Sequence, residues 1–287
     1  MKRGALAALA LLALVSASPA SAGDDTERST DFHSYLPALP EIKAPNLDFI
    51  PFWTSDLKKA KRAYRGGDYE TALKYFREQS EEGSIVADWY LGHMYRLGRG
   101  VARDDAAAFS YYDRVAEQFT PDEDDRKRLR IMIDALMRVA GYCRTGGASG
   151  AIRQDFPRAL RIYKLGTSYG HPAAEFGMGV MNLDGQGLNP NPEQGMRWVM
   201  KAARKRHAPA EAKLGDLYWR GEYVRADRIR AVMWYALARE TAQEDENPEI
   251  FERYARLVRL ATNDERIEAE ARAAVWAEQY PAEKVQY

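Results

Sequence analysis

Five side chains in this sequence could bind a metal or act as a base or nucleophile near neutral pH: His33, His93, His171, His207 and Cys143, which are all of its histidines and its one cysteine. A zinc site draws on three or four such ligands at short spacing, as in H-E-x-x-H or paired C-x-x-C. Neither pattern occurs, and no two histidines stand four apart. His171 and His207 lie 36 residues apart instead, in the contexts G-H-P-A and R-H-A-P-A. Gly147-Ala148-Ser149-Gly150 lacks the G-x-S-x-G spacing of a nucleophile elbow. Gly177-Met178-Gly179 and Gly185-Gln186-Gly187 complete neither G-x-G-x-x-G nor G-x-x-x-x-G-K-[ST], so neither reads as a phosphate loop. The residues thus predict no catalytic, cofactor or metal site, and a protein that works by binding.

What must position these residues is a repeat. From Ala87 the chain reads A-x-x-x-L-G-x-x-Y-x-x-G-x-G-V, with Leu91, Gly92, Tyr95, Gly98 and Gly100. The pattern returns from Ala174 with Met178, Gly179, Gly185 and Gly187, and from Ala210 with Leu214, Gly215, Tyr218 and Gly221. A weaker copy from Ala135 keeps Val139, Ala140, Cys143 and Gly146. A second helix repeats as well: Ala72, Ala108, Ala159, Gly195 and Ala231 align at spacings of 36, 51, 36 and 36, each followed by large residues at the third and fourth positions. Ala87, Leu91 and Tyr95 fall on one side of a helix at i, i+4 and i+8. Gly92 permits close approach of a neighbour, Gly98 and Gly100 turn the chain, and Asp104 or Asp105 is placed to cap the next helix. One such unit cannot bury both faces, so the predicted fold is all-α, an α-solenoid of stacked helix-turn-helix units.

The units fall near residues 58–86, 87–118, 135–170, 174–207 and 210–241, within a solenoid spanning 57–241. Fifteen additional residues separate the first full unit from the next, twelve around Phe119 to Arg130 and three in the Thr145–Gln154 turn. Pro248–Leu260 and Asp264–Gln279 read as two capping helices within 242–287, with a charged face toward water. Four prolines (Pro37, Pro40, Pro45, Pro51) make 23–56 an extended segment, whose Phe49–Trp53 run could cover the open first repeat or dock to a partner. The basic run Met200–His207 is expected to be a solvated helix end.

The first residues carry a charged start, an apolar stretch Ala5–Val15 and the Ala20-Ser21-Ala22 pattern of a cleavage site. A signal peptide over 1–22, cut after Ala22, is expected, giving a periplasmic protein without membrane insertion. With 42 basic against 42 acidic side chains, the chain lacks the basic excess of a nucleic-acid binder. One cysteine leaves no internal disulfide, so stability must come from packing.

The recurrent L-G-x-x-Y-x-x-G-x-G-V core resembles the Sel1-like repeats, relatives of tetratricopeptide repeats with a longer inter-helix turn. By that resemblance the side of the first helices turned from the core lines a concave groove. That stripe holds Trp89, His93, Arg96, Met137, Arg144, Phe176, Val180, Asp216 and Trp219, with Arg220 beside them, and aromatic and Arg side chains of this kind serve as protein-binding hot spots. Packing of the same aromatics against neighbouring helices is the competing reading. The runs YGHPAAEFGMGVMNL and NPEQGMRWVMKAARKRHAPAEAKLGDL, with MWYALA beyond them, further resemble the periplasmic negative regulators of exopolysaccharide production (the ExoR type). That resemblance implies, as partner, the periplasmic domain of a membrane histidine kinase. An envelope enzyme or accessory factor acting on peptidoglycan or β-lactams, and an assembly scaffold, are the alternatives; the comparable envelope factors carry a disulfide in each repeat, which one cysteine cannot supply.

Overall fold

The computed structural model describes residues 54–147 and 150–282. The expected signal peptide, nearly all of the 23–56 segment with His33 and the Phe49–Trp53 run, and the last five residues lie outside the described residues. Twelve α-helices follow in order among the described residues: α1 (Ser55–Arg65), α2 (Tyr69–Glu81), α3 (Ile85–Leu97), α4 (Asp105–Glu117), α5 (Arg126–Thr145), α6 (Phe156–Ser168), α7 (Pro172–Asp184), α8 (Pro192–Arg204), α9 (Ala208–Arg220), α10 (Arg228–Thr241), α11 (Pro248–Leu260) and α12 (Asn263–Gln279). Consecutive helices from α1 to α11 pack on one another, and α12 folds back past α11 onto α10.

Capping residues set where the helices start. Asp68, Asp104, Asp155, Asn191 and Asp227 cap α2, α4, α6, α8 and α10, each accepting a backbone N–H from the first turn. They recur at the same 36, 51, 36 and 36 spacing as the helix alanines, and Asp104 rather than Asp105 is the cap of α4. Thr54 caps α1 and accepts from Leu57, so the first helix starts at Ser55 and takes in the last two residues of the segment expected to be extended. Half of the extra length before the third unit is helical too: α5 runs to 20 residues where α3, α7 and α9 have 13, because Asp125 caps it early.

Helix pairs lock through glycine. A methyl group on Gly92 would lie 2.7 Å from the Tyr112 ring, and one on Gly215 would lie 2.4 Å from Tyr235. Gly179 meets Val199 in the same register, and Gly177 receives the Tyr163 ring from the preceding unit. Gly98, Gly185 and Gly221 end their helices in the left-handed region, as a C-terminal glycine does. The second turn glycine joins units: Gly100 sits against Tyr69 and Gly187 against Phe156, each the first residue of the preceding unit's second helix. In the last unit Tyr223 takes that place at φ 60°, and its hydroxyl donates to the Leu183 carbonyl instead.

At the far end α12 buries Ala269 and Ala273 against the stack. Its outer side is more apolar than its charge content suggests, with Ile267 and Val275 59% and 65% exposed.

Candidate partner-binding face

The stripe singled out above lies on α3, α5, α7 and α9, and the structure divides it. Trp89, His93, Met137 and Val180 are buried, not accessible as expected. Neighbouring first helices approach closely enough to cover them, and Asp134 on α5 supplies the polar partner that Trp89 needs. Trp89 Nε1 donates to Asp134 Oδ2 at 2.7 Å, and Arg138 Nε stands 3.6 Å from the same carboxylate. His93 Nε2 stands 3.7 Å from Asp134 Oδ2, beyond hydrogen-bond reach, and has no protein hydrogen-bond partner.

Burial works to raise the Asp134 carboxyl, but Arg138, His93 and Trp89 outweigh it and hold it well below the usual range. His93 is pushed down to about 4 by burial, against the opposing pull of Asp134. Burial lowers His171 and brings His207 to about 3, with His171 and Arg138 adding to the latter. Both begin helices: His171 Nδ1 accepts from Ala173 at the start of α7, while His207 caps α9 without a side-chain hydrogen bond. Cys143 is fully buried at the repeat's tyrosine position, and burial pushes its thiol up to about 12, far from a reactive thiolate.

The remaining stripe residues are partly open, and some are held internally. Asp216 accepts from Tyr235 at 2.9 Å and from Arg253 of α11 at 2.8 and 3.2 Å. Phe176 packs 5.4 Å from the His207 ring, and Arg228 lies over the Trp219 indole at 5.6 Å. Arg144 sits beside Tyr163. Arg220 is exposed, weakly paired with Glu222 and Asp216. Arg96 is tied across the molecule: its Nη2 lies 2.9 Å from Glu246 Oε2, off the hydrogen-bond axis.

Several key residues escaped the sequence reading. Asp88, Glu175 and Glu211 each follow the first alanine of a repeat and are buried. Asp88 meets Arg114 at 3.2 Å and accepts from Ser80 at 2.6 Å; Glu175 meets Lys201 and Lys205 at 2.9 and 2.6 Å; Glu211 meets Arg206 at 2.8 Å. Burial raises Asp88 to about 6 and Glu211 to about 7, against their cations. The basic run at the end of α8 is therefore no simple solvated helix end. Arg206, at φ 57°, is buried between Glu211 and Glu240. The acid after each first alanine was a readable signal. Glu246 had none, since its partners come from other units, and for Asp134 only the i,i+4 spacing to Arg138 was readable, not the Trp89 and His93 it meets on α3.

A stack of helical units, each packed on the next and with one face partly open, is a solenoid in form among the described residues. The comparisons give that form a family. The Sel1 repeat model matches residues 85–118, 133–170, 172–207 and 208–240, and the chain belongs to the Sel1-repeat family. It is 33% identical over 158 residues to an exopolysaccharide production negative regulator of Rhizobium leguminosarum bv. viciae, covering 54% of this chain and 58% of that protein. A protein of the same description from Rhizobium meliloti (strain 1021) is 28% identical over 206 residues, covering 71% of this chain and 74% of the other. The chain thus spans less than two thirds of the first relative's length. Among solved structures, a Sel1 repeat protein from Oxalobacter formigenes aligns at a TM-score of 0.46 and 21% identity, over 76% of this chain and 98% of that one. No helix among the described residues is long and apolar enough to cross a membrane.

Proposed function

We propose that this chain is an exported, periplasmic regulator that acts by binding, not turnover. It holds the periplasmic domain of a membrane histidine kinase along its inner face and keeps signalling toward exopolysaccharide production low. The observation that carries this reading is the match, through Sel1 repeats, to two proteins described as negative regulators of that production. The partly open Phe176, Trp219 and Arg220 supply the aromatic and Arg character of a protein contact. Regulation then follows as a population shift: a regulator with higher affinity for the kinase-off state biases the kinase toward it, and release relieves the bias.

The test is crosslinking in the native envelope, beside a Trp219→Ala/Arg220→Glu variant of confirmed helicity. Capture of one inner-membrane kinase by the native chain, lost in the variant, is the expected result. Unchanged capture by the variant removes the inner-face assignment. Recovery of peptidoglycan fragments alone would overturn the regulatory reading in favour of an envelope factor.

A further inference from the structure

In a solenoid each unit touches only its neighbours. One contact here breaks that rule. The connector between α10 and α11, at residues 242–247, reaches back to the first full unit and the helix after it. Glu246 Oε2 lies 2.9 Å from Arg96 Nη2 and 3.7 Å from Arg138 Nη1, and Asp245 pairs with Arg99. Some 146 residues separate Arg99 from Asp245 along the chain. Substantial helix packing does not accompany these pairs, since neither α10 nor α11 packs extensively on α3 or α5. The contact is made by arginine and carboxylate side chains across the inner face.

The surface beneath the connector is also incompletely satisfied. Arg96 Nε is buried there without a protein hydrogen-bond partner, while Tyr112 Oη meets Arg96 and His93 Nε2 meets Asp134 only in poor alignment. Buried polar groups are nearly always hydrogen-bonded. Three arginines already receiving carboxylates, with Arg96 poorly aligned to Glu246 and its Nε unmet, describe a site for an acidic chain segment in which Glu246 and Asp245 are an imperfect occupant. Arg is the side chain suited to that role, because its planar fork recognises carboxylates.

We infer that Arg96, Arg99 and Arg138 form a docking site for an acidic segment of the protein partner, and that the 242–247 connector occupies it in the free chain as an internal stand-in. The inference rests on the reading that the inner face holds a protein. It adds the chemistry recognised and a latch that must open first. Occupancy by the connector lowers the apparent affinity for a competing segment by the fraction of molecules that are open.

The test needs no kinase, so its failure and that of the regulatory reading are distinguishable. The purified chain and an Asp245→Asn/Glu246→Gln variant are compared by hydrogen exchange and by binding of a labelled peptide of residues 241–248, TAQEDENP, the connector with one flanking residue at each end. In the variant, connector amides should exchange faster while α3 and α5 stay protected. The peptide should bind about tenfold more tightly than to the native chain, as expected if the connector is seated about nine-tenths of the time. Adding Arg96→Gln and Arg138→Gln should abolish that gain. In the unmutated chain, raising NaCl from about 0.05 M to about 0.5 M should speed connector exchange by screening the pairs. A released connector with no gain in peptide binding overturns the acidic site. Connector exchange that ignores both salt and substitution overturns the latch.

Discussion

Gly92 and Tyr112 show how far one residue can decide this packing. The Tyr112 ring lies where any side chain at position 92 would project, and the same pairing recurs at Gly215 and Tyr235. Gly92→Ala must therefore push a fully buried ring out of place, an overpacking change that costs roughly 1–3 kcal/mol. The expected outcome is a lower urea midpoint with an unchanged slope. Shortening the ring in a Gly92→Ala/Tyr112→Leu double variant should recover part of that loss, because the two changes act on one contact and are not additive. A strictly additive loss in the double variant would remove ring-on-glycine packing as the reason for the glycine.

At the scale of elements, two units tie their first helix to their second through the carboxylate after the first alanine. Asp88 meets Arg114 six residues after Ala108, and Glu175 meets Lys201 six residues after Gly195. The remaining units vary this rule informatively. Leu136 and Leu165 hold the two positions where α5 pairs with α6, so acid and cation disappear together. Leu237 holds the cation position in α10, and Glu211 uses Arg206 from the linker instead. Removing one partner of a buried pair leaves an uncompensated charge, at a cost of about 3–5 kcal/mol. Arg114→Leu should approach that loss near pH 8, where Asp88 is ionised. Because burial already places the Asp88 carboxyl at about 6, the loss should shrink at pH 5, where the native state holds it protonated. Equal losses at the two pH values, read from urea midpoints, would exclude Asp88 as the group left stranded. These pairs also mark what the sequence made legible. The units and their glycines could be read because each position repeats at a fixed spacing and does a local job. The division of the stripe could not, because whether Trp89 or Trp219 is covered depends on how tightly successive units wind and on Asp134, which no repeat position specifies. The closure by Glu246 was invisible for the same reason: nothing local links it to Arg96.

Across the whole molecule, groups in different units oppose one another in their response to pH. His93, lowered from 6.5 to about 4, and His207, lowered to about 3, are neutral in the folded chain near pH 5.5 but protonated when unfolded. Their contribution to stability therefore falls as pH drops below about 6.5. Asp88 and Glu211, raised to about 6 and about 7, run the other way: the native state holds protons that the unfolded chain releases, so acid favours folding through the same window. The two pairs nearly offset one another, and His171, also lowered by burial, gives the native profile a modest net loss of stability on acidification between pH 6.5 and 5. Single substitutions should tilt it in opposite directions. His93→Gln removes a group that takes up about one proton on unfolding, so stability should rise on acidification relative to the native profile by roughly 1 kcal/mol per pH unit. Glu211→Gln removes the opposing proton and should produce a loss on acidification of similar size, while Arg206 keeps Glu240 as a partner. Urea unfolding at several pH values reads both slopes, provided each variant keeps a single transition. Slopes that move in the same direction would show that these groups do not carry the pH response. A split into two transitions on cutting the Glu246 pairs, absent from the native chain, would show that the latch is what makes the solenoid unfold as one.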